Sequence, residues 1–87
     1  MTLLNRKKPK IKVEIYSKQD CHLCDDAKAI LKKYQSRYAF DLVEIDITKD
    51  ERLFSEFKEQ IPVIFIDGKK LFKYRIDEVK LIKKLEK

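Results

Sequence analysis

Polar and apolar residues alternate through Ile11–Ser17, "IKVEIYS", placing Ile11, Val13 and Ile15 on one face. A period of two reads as a strand. From His22 to about Ser36 the period lengthens, and Leu23, Ala27, Ile30, Leu31 and Tyr34 recur at helical spacing. "FDLVEIDI", residues 40–47, returns to a strand pattern. Thr48 then resembles an N-cap, with Glu51 completing a capping box ahead of a helix carrying Leu53, Phe54 and Phe57. That helix is expected to end by Gln60-Ile61-Pro62, because the residue before proline avoids the helical region. "VIFI", Val63 to Ile66, is a continuous β-favouring run of the kind buried on both faces. Asp67-Gly68 signals a tight turn and "KKLFKY" a returning strand. Asp77 to about Leu85, with Val79, Leu81, Ile82 and Leu85 at helical spacing, closes the series.

The order is β-α-β-α-β-β-α. A β-α-β opening requires a parallel strand pair with a right-handed crossover, and the hairpin adds antiparallel strands. The expected class is α/β, a four-stranded mixed sheet flanked by helices on both faces. With 87 residues the chain makes a single domain, near the lower size at which a hydrophobic core suffices. Residues 1–9 read as a basic, flexible leader and 10–87 as the domain.

Charge changes this picture only locally. Lys and Arg number 21 against 15 Asp and Glu, a net +6. Arg6, Lys7, Lys8, Lys10 and Lys12 follow one another with no acid between them, and the rest of the chain holds 16 bases against 15 acids. An arm that binds nucleic acid would interleave aromatics with its cations. This run has none, so it reads as a solvated leader and no nucleic-acid partner is expected. No apolar run approaches the ~20 residues of a membrane helix, so no membrane partner is expected either. "MTLLNRKKPK" lacks the apolar centre and small-residue cleavage site of a secretory signal. The expected compartment is the cytoplasm.

The chemistry concentrates in "YSKQDCHLCDDAK", residues 16–28, which holds both cysteines and the only histidine. Reducing compartments seldom keep purely structural disulfides. A Cys21–Cys24 bridge would close too small a loop to stabilise much. Structural zinc wants four ligands, usually from two separated pairs. Cys21, His22 and Cys24 offer three within one turn, so no metal is expected in a single chain. A redox pair fits better. Cys21 falls at the helix N-cap, where exposed amides and the positive end of the dipole favour a thiolate. Cys24, one turn on, can reach back. Cys21 is the expected nucleophile and Cys24 the resolving thiol. His22 admits two readings: a cation that would assist Cys21, or a solvated first-turn residue. Asp25 and Asp26 suit a helix start.

The chain resembles the glutaredoxin-like branch of the thioredoxin-fold proteins from about Lys10 to Leu85. The carrying features are "YSKQDCHLCDDAK" after the first strand, "IPVIFIDG", and a terminal helix opening at "RIDEVK". The C-H-L-C variant is most similar to a group of small glutaredoxin-like domains. The resemblance implies a thioredoxin-like fold and a cis Ile61–Pro62 loop lying against Cys21. It implies that the backbone of Ile61 pairs with a substrate peptide or glutathione. It also implies that Lys18 meets the glycine carboxylate of glutathione and Asp77 its γ-glutamyl end; their plain readings are a surface lysine and an N-cap. Two departures stand out. Tyr74 and Arg75 occupy a position where the family usually has Gly-Gly, and His22-Leu23 replaces Pro-Tyr. The expected function is dithiol–disulfide exchange, with no tightly bound cofactor and with glutathione or a thioredoxin-type dithiol as reductant. The expected partner is a disulfide in a protein or small molecule. A non-catalytic binding module and an iron–sulfur carrier are the alternatives.

Overall fold

β1, Ile11–Ser17, runs through the middle of a four-stranded sheet of spatial order β2-β1-β3-β4. The structure is a computed structural model describing residues 10–86; the basic leader expected at 1–9 lies outside them. β2 (Phe40–Asp46) is parallel to β1, with Ile11 opposite Phe40 and Ser17 opposite Asp46. β3 (Val63–Ile66) pairs antiparallel with the other edge of β1, Tyr16 lying opposite Val63. β4 (Lys69–Lys73) adds the last antiparallel strand. α1 (His22–Gln35), α2 (Glu51–Phe57) and α3 (Glu78–Leu85) complete the β-α-β-α-β-β-α order read from the sequence. The mixed α/β sheet is the expected one.

The β3–β4 connection uses two left-handed residues, Asp67 at φ 48° and Gly68 at φ 84°. Two consecutive positive φ values make the hairpin turn whose twist matches that of its strands. Asp67 also accepts the Lys12 N–H on Oδ1 at 2.9 Å, which ties this turn to the start of β1.

Strand alternation divides the apolar residues between two faces. Val13, Ile15, Ile64 and Ile66 point to one, where Ala27 and Leu31 of α1 and Leu81 and Leu85 of α3 cover them. Val63 points to the other, where Ile47, Phe57 and Ile61 are buried and Tyr16, Leu53 and Phe65 pack alongside. β3 is thus covered on both sides: Val63 and Ile64 are fully buried.

α2 begins differently from the expectation. The capping box led by Thr48 does not form. Asp50 is the N-cap, its Oδ1 accepting the N–H groups of Arg52 at 2.9 Å and Leu53 at 3.2 Å. Ile47 is fully buried, and Ile47–Lys49 form a single 3₁₀ turn that Asp46 caps by accepting the Thr48 N–H at 2.9 Å. The pull of the core on Ile47 moves the helix start past Thr48. Among the described residues no helix is long and apolar enough to cross a membrane.

Candidate active site: the Cys21–Cys24 pair

The chain leaves the C-terminal end of β1 at Ser17 and turns through Asp20, which is left-handed at φ 56°. Aspartate is among the few side chains that tolerate that region. The turn places Cys21 in extended conformation, φ −127° and ψ 103°, as the N-cap of α1. Its Sγ accepts the Cys24 N–H at 3.1 Å, satisfying one amide that the first helical turn leaves free. Cys21 and Cys24 are joined as a disulfide with Cα atoms 5.2 Å apart.

The two sulfurs sit in different surroundings. Cys24 is fully buried and Cys21 half-buried. The sequence placed Cys24 one turn behind the N-cap without indicating that it is buried. Although α1 mainly covers the first face of the sheet, its first turn turns Cys24 into the second cluster, beside Ile47, Phe57, Ile61 and Val63. Tyr16, Phe57 and Phe65 form an aromatic group within that cluster, with Tyr16 4.9 Å from Phe57 and 5.2 Å from Phe65 between ring centroids. Burial, with lesser contributions from Glu14 and Glu56, raises the pKa of the Tyr16 phenol. The sequence reading did not single out this aromatic support; its one signal was Tyr16 on the opposite face of β1 from Ile15.

Pro62 is fully buried, the Ile61–Pro62 bond is cis, and Ile61 packs in the cluster that holds both cysteines. Among the described residues neither the N–H nor the C=O of Ile61 has a hydrogen-bond partner. The Pro62 carbonyl accepts the Tyr74 N–H at 2.9 Å. His22, the first residue of α1, is exposed, and no hydrogen bond engages its side chain among the described residues. Lys18 is exposed on the opposite flank of the disulfide turn, in a polar recess with Asp20, Asp25, Lys28, Glu44 and Asp46. Asp77 caps α3, its Oδ1 accepting the Lys80 N–H at 3.2 Å. Cys21, Cys24, Ile61 and Pro62 therefore come together, whereas Lys18, in the turn before Cys21, lines the polar recess and Asp77 stands at the start of α3.

Beneath the recess, Lys28 donates to Glu44 at 2.7 Å and Ser17, almost fully buried, donates to the same carboxylate oxygen at 3.4 Å. The Lys28 bond holds the Glu44 carboxyl below the usual glutamate range and raises the Lys28 pKa in turn. Among the described residues no group of three or more His, Cys, Asp or Glu is placed to hold a metal ion. The arrangement presents one accessible sulfur at a helix N-terminus, one buried sulfur a turn behind it, and an open backbone edge beside both.

Residues 12–86 match the family described as glutaredoxin-like domain (DUF836). A curated glutaredoxin-like protein of Dictyostelium discoideum is 34% identical over 87% of this chain and 76% of its own length. Among solved structures, the solution structure of a Nitrosomonas europaea protein superposes with a TM-score of 0.79 at 28% identity, covering 94% of this chain and 99% of that one. Thioredoxin-2 of a malaria parasite superposes with a TM-score of 0.67 at 25% identity, covering 91% and 86%. These neighbours place the fold among the thioredoxin-like folds.

Proposed function

From the premise that this chain belongs to the glutaredoxin-like domain family, we propose that it is a dithiol–disulfide oxidoreductase that reduces disulfides through Cys21 and Cys24. One observation carries the reading: the half-buried Cys21 caps α1 while the fully buried Cys24 lies behind it. Only the outer sulfur can meet an incoming disulfide. In the reduced protein its thiolate is favoured by the amides and dipole of the helix N-terminus. That thiolate attacks one sulfur of the substrate. A mixed disulfide forms and the first substrate thiolate leaves, taking a proton from water. Cys24 then loses its proton and attacks the Cys21 sulfur. The internal disulfide forms and the second substrate thiol departs. The substrate gains two electrons and the protein dithiol loses two. An external thiol, glutathione or a thioredoxin-type dithiol, returns them.

The N–H and C=O of Ile61, unpaired among the described residues, supply a short strand edge to which an extended substrate can bond while its sulfur faces Cys21. Fixing the approach in this way selects one attack line on the disulfide. Trapping tests the reading. Cys24→Ser should accumulate a mixed disulfide on Cys21 that mass spectrometry detects, and Cys21→Ser should accumulate none. Comparable trapping in both variants, or no exchange with any disulfide, would overturn the assignment.

A further inference from the structure

A groove of about 420 Å³ opens beside the redox pair and runs along α1. Its first wall is Leu23, Ala27 and Ile30, with Asp26 at the rim. These positions are spaced i, i+3, i+4 and i+7, so they form one strip of the helix, roughly 10 Å long at 1.5 Å per residue. The strip starts between the two cysteines, because Leu23 is the residue before Cys24. The second wall is the segment between β4 and α3, Tyr74, Arg75 and Ile76.

That second wall is anchored to the redox loop. Tyr74 donates its N–H to the Pro62 carbonyl and its hydroxyl to the Glu59 carbonyl, both at 2.9 Å. Its backbone is left-handed at φ 69°. A tyrosine holds that conformation only where its surroundings impose it, and such outliers gather at functional sites. The groove therefore begins one residue from Cys24 at one wall and is tied to Pro62 at the other. Its floor is apolar, and its rim carries one acid and one base, Asp26 and Arg75, neither in an ion pair among the described residues.

Building on the oxidoreductase reading, we infer that this groove is a specificity subsite for a bulky apolar side chain close to the attacked cysteine, so that the substrate is a disulfide in a protein segment. An extended strand rises about 3.3 Å per residue, and side chains two apart share a face. A residue two positions from the substrate cysteine thus travels about 7 Å along the strip and points the same way as the sulfur. Leucine, isoleucine or phenylalanine there covers Ile30 and Ile76. Glutathione has only a γ-linked glutamate and a glycine beside its cysteine and leaves the floor exposed. Tyr74 is a positioning residue: it holds the second wall at the distance that the apolar side chain bridges.

The test uses the full chain with dithiothreitol as reductant. Three disulfide-linked peptide dimers serve as substrates, with leucine two positions before the cysteine, leucine two positions after it, or serine at both. Glutathione disulfide is the fourth substrate. In at least one orientation the leucine peptide should show kcat/KM tenfold or more above both the serine peptide and glutathione disulfide. That ratio should fall below threefold in Ile30→Gln. The same leucine peptide, held on Cys21 of Cys24→Ser as a mixed disulfide, should give nuclear Overhauser contacts from its methyls to Ile30 and Ile76. Equal rates on leucine and serine peptides, or a trapped leucine without those contacts, would overturn the subsite while leaving the exchange chemistry intact. Inertness toward all four substrates would remove the oxidoreductase reading and the subsite with it.

Discussion

The two faces of the sheet are built to different standards. The first lies under two helices, α1 and α3, and buries eleven residues from Val13 to Leu85. Side-chain hydrogen bonds join α1 to α3, Tyr34 donating to Glu78 at 2.6 Å and Lys33 to Glu78 at 3.2 Å, and Tyr38 in the turn after α1 donates to Glu86 at the end of α3 at 3.0 Å. The second face lies under α2 alone, a helix of seven residues, and buries five. Its aromatic group is half-open, and Val43 and Phe54 are each 38% exposed on the described surface. The cysteine pair belongs to the lighter side. The proposed exchange chemistry requires an accessible edge at the disulfide, and an accessible edge excludes a second covering helix. The heavier face supplies the stability that the lighter one gives up.

Breaking each face should separate these roles. Leu81 is fully buried under the first face, and Leu81→Ala should cost about 4 kcal/mol in urea unfolding, the upper range for a leucine cavity. The reduction potential of the folded fraction should not move. Phe57→Ala, on the second face, should cost about 3 kcal/mol and should also shift the reduction potential, because Phe57 lies in the cluster around Cys24. Equal shifts from both variants would erase the division. Reducing Cys21–Cys24 should lower stability by at most about 2 kcal/mol, the low end for a disulfide because the loop is so short. The loss of amide-exchange protection should be confined to the second face. Asp50→Ala removes the cap of α2 and should cost about 1 kcal/mol, with exchange loosened in Glu51–Phe57.

The smallest effect is a pH limb. Glu44 is held below its ordinary pKa chiefly by its hydrogen bond from Lys28, so the folded state binds that proton more weakly than the unfolded chain. The stabilisation is present at neutral pH and disappears as pH falls through the carboxylate range. On the alkaline side the raised Lys28 pKa keeps the pair intact until the pH passes the ordinary lysine range. The pair is largely solvated, so Glu44→Gln should cost only about 0.5 kcal/mol. It should also flatten the acid limb of a stability-against-pH curve measured by urea unfolding.

Much of the frame was legible because it rests on periodicity. β1 and β3 fall at Ile11–Ser17 and Val63–Ile66, where alternation and the unbroken β-favouring run placed them. α3 starts after Asp77, which had been a candidate cap. The start of α2 was less legible because Thr48 and Asp50 both carry capping chemistry, and the choice depends on the burial of Ile47, a tertiary fact. The cysteine pair was readable from its spacing, and the cis Pro62 loop only through the resemblance to glutaredoxin-like proteins. The burial of Cys24 was not, because it depends on how the first turn of α1 meets a cluster drawn from four other segments. The left-handed backbone of Tyr74 was not legible in the local string "KYRI", which does not favour it; the one hint was that Tyr74 stands where the family usually has glycine.

The placement of β1 between β2 and β3 also governs assembly on the ribosome. Translation delivers this central strand early, yet its antiparallel neighbour is the segment from Val63 to Ile66, with Val13 waiting for Ile66. Until that segment leaves the exit tunnel, one flank of β1 keeps bare amides and carbonyls. A nascent chain truncated just before Val63 should therefore remain protease-sensitive, and acquisition of resistance should await the late hairpin.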